Sequence, residues 1–279
     1  DIAYAQVVMG HDNIIVLADA DTLPYLQGEL PDDILLESEI ADIWMRDFST
    51  VLPSKMVQFR YQPSYLRQSD SGYIQASFNR FTSRHGLEYT QSELIIDGGN
   101  IVDNNADKVI FTERVLDDNP EYNQAEIIEE LKTVLGVAQV AIIPQEEDEP
   151  MGHADGIAMF ISEDTVLVNT YGEPFRSLVL QALQQGLPDT EIIEVEADYS
   201  LQVWKDFVSA CGINVNATVT ERYIYMPTFG RENDRRSLDI MQAHSDKEVI
   251  PIDAQKVCFM GGSVRCLSWQ VSGDNATKL

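Results

Sequence analysis

Residues suited to chemistry recur along this chain at similar intervals: Asp47, Asp97, His153, Asn216 and Cys266 are separated by 50, 56, 63 and 50 positions. Intervals of this length are what repeated supersecondary units produce, each built from strands and about one helix. Units arranged about an axis would each send one residue into a shared centre. Chance spacing of Asp and Asn, which are common residues, gives the same series, so the interval alone leaves both readings open.

The hydrophobic pattern supplies the elements. Short apolar runs between turn residues predict strands at 13–17, 109–111, 140–144, 157–161, 165–168, 223–226, 249–252, 257–260 and 267–271. A helix is predicted over 124–135, with Asn123 as its cap, Glu126 completing a capping box and Gly136 ending it. Its residues Ile127, Ile128, Leu131, Val134 and Leu135 share one face, so it packs on a sheet. Further helices are predicted over 176–185 and 237–244. No low-complexity linker interrupts the chain, and 1–279 is expected to form a single α/β domain.

Charge narrows the partners. A net charge of −27 leaves no basic patch for phosphates, so nucleic acid is not expected. An acidic field steers cations toward a surface, although it also serves simple solubility. No run of about 18 apolar residues is present, so no membrane partner is expected. No basic-then-apolar leader is visible and the chain starts at Asp1 without Met; a cytoplasmic location is the expectation. Homo-oligomerisation stays open. The three cysteines form neither a disulfide framework nor a zinc pattern, and Cys211 and Cys258 are expected to be buried spectators beside one reactive thiol, Cys266.

Four segments carry candidate chemistry. They are Trp44-Met45-Arg46-Asp47, Asp97-Gly98-Gly99, Gly152-His153-Ala154-Asp155, and Gly261-Gly262-Ser263-Val264-Arg265-Cys266. Hydrolysis of a guanidinium needs such a set. The planar cation presents N–H donors in a fork that matches carboxylates. A thiolate can attack its carbon, and a histidine can protonate the departing amine and then deprotonate water. Cationic substrate beside the thiol favours the thiolate, so the nucleophile is best activated when substrate is bound. Taken singly, each residue has an ordinary structural explanation. His153 and Asp155 could begin a metal site, but no second histidine stands nearby, and neither metal nor cofactor is expected.

Together these segments resemble the agmatine deiminase and bacterial, Porphyromonas-type, peptidylarginine deiminase family. The four motifs occur in the family's order, and the likeness runs from about Ala41 to Gln270. The resemblance implies a five-bladed α/β-propeller, or pentein, with its site on the axis and no cofactor. It implies that Cys266 is the nucleophile and His153 the acid and base. Asp47 and Asp155 would hold the guanidinium, Asp97 would orient His153, and Trp44 would wall the aliphatic part. Asn216 resembles an Asn that completes the site in the peptidylarginine branch.

The sequence departs from the family at several points. Asp97 stands where the family has Glu, Arg265 where it has His, and Phe48-Ser49-Thr50 follows Asp47 in place of a Gly-Pro segment. The usual start of the first blade is absent, so that blade is expected to be reduced or truncated. The expected reaction is conversion of agmatine to a carbamoyl product and ammonia. Arginine, free or in a peptide, is the alternative, motivated by Arg60 and Arg67, since an Arg fork suits a substrate carboxylate. A non-catalytic cation-binding protein on the same fold is the reading from a different class. A cysteine peptidase would leave the paired acids unexplained.

Overall fold

Parallel strands cannot be joined by a tight hairpin; they need a crossover, and the described residues make five. The computed structural model describes residues 2–147, 149–200, 202–205 and 207–279 and shows a mixed α/β fold. Helix α1 (Ile2–Val8) opens it. In the first unit β1 (Val16–Ala18) and β2 (Leu35–Glu37) flank the four-residue α2 (Leu23–Leu26). Helix α3 (Met45–Phe48) leads to the second unit, in which α4 (Gln68–His85) joins β3 (Val57–Arg60) to β4 (Thr90–Ile95).

The last three units share one pattern, an antiparallel strand followed by strand, helix and parallel strand. The third has β5 (Val102–Asp103), β6 (Lys108–Thr112), the short α5 (Arg114–Asp117), α6 (Gln124–Leu135) and β7 (Gln139–Ile143). The fourth has β8 (Ala158–Phe160), β9 (Thr165–Asn169), α7 (Phe175–Gly186) and β10 (Glu191–Val195). A small hairpin, β11 (Val203–Trp204) and β12 (Phe207–Val208), precedes the fifth. That last unit has β13 (Thr218–Val219), β14 (Tyr223–Thr228), α8 (Glu232–Ala243) and β15 (Glu248–Asp253), and α9 (Gly273–Ala276) lies near the end of the chain.

Neighbouring units are tied side by side. Lys55 donates to the Leu135 carbonyl, Asn104 to that of Glu163, and Ser245 to that of Ile161. The beginning and end of the chain meet units far from them in sequence. Val8 of α1 packs with Tyr225 and Ile250 of the fifth unit, and Asp12 accepts the Tyr225 hydroxyl at 2.8 Å. Trp269 packs edge-on against Phe78 and Phe81 of α4 in the second unit.

The helix over 124–135 has its expected bounds, with the Asn123–Glu126 capping box formed and Ile127, Leu131 and Leu135 buried. The helix expected over 237–244 begins five residues earlier, at Glu232, where Asp234 caps it through the Arg231 N–H. Two expected strands are corrected. Residues 257–260 contain a 3₁₀ turn, Cys258–Met260, and 267–271 are irregular. Both runs place side chains in the core without a partner strand, and an apolar run does not by itself distinguish a buried loop from a strand. The expected free thiols at Cys211 and Cys258 are corrected as well. They form a disulfide with Cα atoms 4.8 Å apart. Connectivity follows from proximity in space, and the 47-residue separation gives no hint of it. No described helix is long and apolar enough to cross a membrane.

Candidate active site

Every chemically suggestive residue lies in a turn beside one of the units. Asp47 is on the single turn α3, with Trp44 just before it. Asp97 and His153 each cap a 3₁₀ turn, Gly98–Asn100 and Ala154–Gly156, and the second carries Asp155. Asn216 precedes β13, and Cys266 sits in the turn after Gly261-Gly262. All are buried except Trp44, which is partly so.

The turns bring the side chains into one cluster. His153 Nε2 lies 3.1 Å from Asp97 Oδ2, and its Nδ1 lies 3.8 Å from Asp47 Oδ1. Asp97, although a methylene shorter than Glu, is therefore within hydrogen-bonding reach of the imidazole. The Tyr65 hydroxyl donates to the same Asp97 oxygen at 2.7 Å. The Cys266 thiol donates to Asn216 Oδ1 at 3.4 Å, and Asn216 Nδ2 donates to the Asp155 carbonyl at 3.3 Å. Arg265 gives Nη1 to Asp155 Oδ2 at 2.8 Å and Nη2 to the Ile101 carbonyl at 2.6 Å. Its backbone N–H reaches Asn216 Oδ1 at 3.2 Å, so one amide oxygen serves the Cys266 thiol and its neighbour together.

Burial and charge set the protonation states. Burial disfavours the charged imidazole of His153, but Asp47 and Asp97 outweigh it and hold the ring up to about 10. Burial pushes the Asp47 carboxyl up to about 7, against the pull of His153. Burial, then Asp155 and Asp47, raise the Cys266 thiol well above its ordinary value. Both shifts favour the neutral sulfhydryl and the protonated ring near neutral pH. A cation beside the thiol would oppose the repulsion that the two carboxylates impose on a charged sulfur.

Two glycines leave room for this packing. A Cβ on Gly99 would fall 2.4 Å from His153 Nδ1 and 2.8 Å from Asp47 Oδ1, while the Gly99 N–H donates to Asp47 at 3.2 Å. A Cβ on Gly262 would fall 2.4 Å from Trp44 Cζ3, so the indole lies directly against the loop that carries Cys266.

Arg60 and Arg67 are not joined to this cluster. Arg60 pairs with Gln62 and, at 4.0 Å, with Glu93, whereas Arg67 binds Asp70 at 2.8 Å on the surface. The cluster also contains residues that the motifs did not single out. Tyr65 lies inside the segment that drew attention to Arg60 and Arg67, but nothing in the sequence ties its hydroxyl to Asp97. Arg265 was visible only as a departure from the family, and its partner Asp155 is 110 positions away. Buried Arg46 donates to Gln270 at 3.4 Å. Among the described residues no group of three or more His, Cys, Asp and Glu side chains is arranged to hold a metal ion.

A buried thiol lies in one cluster with an imidazole bracketed by two carboxylates and with a third carboxylate. Residues 2–272 match the Porphyromonas-type peptidyl-arginine deiminase family, and the chain belongs to it. Its members are hydrolases of the deiminase class, acting on a C–N bond of a guanidino group. A Vibrio parahaemolyticus protein classed by name with the agmatine deiminases is 22% identical over 85% of this chain and 77% of its own length. The solved agmatine deiminase of C. jejuni shares the fold with a TM-score of 0.80 at 17% identity, over 98% of this chain and 86% of that one. The Enterococcus faecalis agmatine deiminase does so with a TM-score of 0.79 at 16% identity, covering 97% and 86%.

Proposed function

We propose that the protein hydrolyses agmatine to N-carbamoylputrescine and ammonia, with Cys266 as nucleophile and His153 as general acid and base. The observation that carries this reading is the convergence of Cys266, His153, Asp47, Asp97 and Asp155. The guanidinium lies between Asp47 and Asp155, and its charge drives the Cys266 proton off to solvent. Sγ attacks the guanidino carbon. The imidazolium, oriented by Asp97, gives its proton to a nitrogen, which leaves as ammonia and leaves a covalent thiouronium on Sγ. Neutral His153 then takes a proton from water as the oxygen adds to that carbon. The C–S bond breaks, the hydroxyl proton passes to Sγ, and the carbamoyl product departs. The steps use only this chain's side chains and water, so turnover is expected to persist in EDTA.

Asn216 would hold the thiol in line, and Trp44 would wall the alkyl chain. The second reading keeps the chemistry and takes arginine, free or in a peptide, with Arg60 or Arg67 on the carboxylate. The surface pairs of both arginines favour agmatine. The whole chain would act as one catalytic domain whose five units close into a propeller. Support for closure comes from α1 packing on the fifth unit and Trp269 on the second. The Cys211–Cys258 disulfide supports an oxidising compartment over the cytoplasm expected from the sequence. Ammonia release from agmatine, arginine and an arginyl peptide, by the wild type and Cys266→Ala, tests the assignment. Release from agmatine, abolished in the variant without loss of fold, is expected. Retained turnover in Cys266→Ala would overturn the mechanism, and no release from any guanidine would favour a cation-binding protein.

A further inference from the structure

His153 and Tyr65 meet on a single atom. The imidazole Nε2 lies 3.1 Å from Asp97 Oδ2, and the Tyr65 hydroxyl donates to that same oxygen at 2.7 Å. Asp97 precedes the 3₁₀ turn Gly98–Asn100, but its side chain makes no capping bond to that turn. Rotation about the last torsion of an aspartate is soft, so the carboxylate is oriented by what bonds to it. The hydroxyl is a dependable donor. Burial, then the charge of Asp97, push the phenol well above its ordinary value, so it keeps its proton near neutral pH.

The phenol is itself held at a fixed point. Its ring stands edge-on to Phe207 of β12, with centroids 5.8 Å apart and planes at 88°. Tyr61 lies alongside it. The chain is braced from another side by Arg114 of α5, which is bonded to Asp118 at 2.8 Å. Arg114 donates Nη2 to Ser64 Oγ at 2.5 Å and Nη1 to the Pro150 carbonyl at 3.1 Å. One guanidinium therefore joins the residue before Tyr65 to the segment that leads into His153. The charges facing the imidazole are Asp47 of α3, Asp97 and Asp155; among the described residues, Asp97 is the one that also hydrogen-bonds to it.

Two donors on one oxygen compete. Each draws charge from Oδ2, so the phenol weakens the hold of Asp97 on the imidazolium while fixing where the carboxylate sits. A general acid works best when its proton is not bound too tightly at the working pH. We propose that Tyr65 is a positioning residue that acts on His153 through Asp97: its hydroxyl fixes the carboxylate and takes up part of its charge, so the imidazolium can pass its proton on in the chemical step. This rests on the deiminase reading, in which His153 is the general acid.

Tyr65→Phe removes the hydroxyl and keeps the ring against Phe207. It is expected to lower kcat for agmatine about tenfold, the net worth of one hydrogen bond, while KM moves less than about twofold. In an imidazole NMR titration of the free enzyme the His153 midpoint is expected to rise by about 0.5–1 pH unit, because Oδ2 then turns its full charge on the ring. Both effects should vanish beside Asp97→Asn, where Tyr65→Phe adds less than about a twofold loss. A midpoint that stays or falls, an unchanged kcat, or a loss repeated in full beside Asp97→Asn would overturn the proposal and leave the hydroxyl a part of the packing. If the wild type releases ammonia from no guanidine, the deiminase reading falls on its own. The titration then decides: a rise in Tyr65→Phe that disappears beside Asp97→Asn supports the coupling, and any other result sinks it.

Discussion

In the proposed mechanism Asp155 holds two guanidinium groups. Arg265 already occupies Oδ2 at 2.8 Å, which leaves Oδ1 for a substrate. The pair is buried, so removing one partner leaves a charge stranded. Arg265→Met is expected to cost about 3–5 kcal/mol of stability in urea unfolding. Arg265→Lys, which keeps the charge but cannot reach Asp155 and the Ile101 carbonyl together, should fold better and still lose catalytic efficiency. His153 offers a second test. Its imidazolium is raised to about 10, so its contribution to stability is complete below the ordinary histidine value and is lost as pH climbs through about 10. Asp97→Asn removes one of the charges responsible. An imidazole NMR titration should then show the ring deprotonating at lower pH than in the wild type; an unchanged midpoint would assign the shift to Asp47 and Asp155. At this scale the sequence announced residue types and left pairings hidden. Cys266, His153 and the acids stood out through glycine-flanked turns, whereas the contacts of Tyr65 and Arg265 exist only after distant segments meet.

Legibility among the elements followed how plainly a buried face was written. α6 could be read to its ends because its apolar residues share one face and its cap is local. α4, the longest helix, was missed because it buries Ser71, Ser77 and Thr82 beside Ile74, Phe78 and Phe81, which breaks the apolar period. The turns that carry the site have tight tolerances. Gly99→Ala would drive a methyl between His153 and Asp47, and a displacement near 1 Å costs about 100-fold in rate. A fall in kcat of that order, with secondary structure retained by circular dichroism, is expected. The disulfide acts on the same region from outside. It ties Cys211, just after the β11–β12 hairpin, to Cys258, in the turn that leads toward Cys266. The double variant Cys211→Ser/Cys258→Ser is expected to lose about 2–4 kcal/mol in denaturant unfolding and to keep its chemistry at low temperature. Full loss of activity in a folded double variant would show that the clip also shapes the site.

For the molecule as a whole, the recurring interval in the sequence corresponds to real units, and the five candidate residues come from turns beside them. What the interval could not show is how the chain's two ends find the fifth and second units, since those contacts join residues over 190 positions apart. The net charge of −27 accompanies a proposed site for a cation. If the field steers substrate, kcat/KM for agmatine should fall between about 0.01 M and 1 M salt, as the screening length shrinks from about 30 Å to about 3 Å, while kcat changes less. A flat salt profile would reduce the charge to a matter of solubility. The sulfur chemistry has its own consequence. One chain carries an oxidised cysteine pair and a free thiol, and oxidants attack thiolates far faster than thiols. If Cys266 works as proposed, held as a sulfhydryl against Asn216 until a cation arrives, it is shielded from peroxide while idle. Its vulnerability is confined to working hours, so this enzyme should wear out by turnover rather than by age.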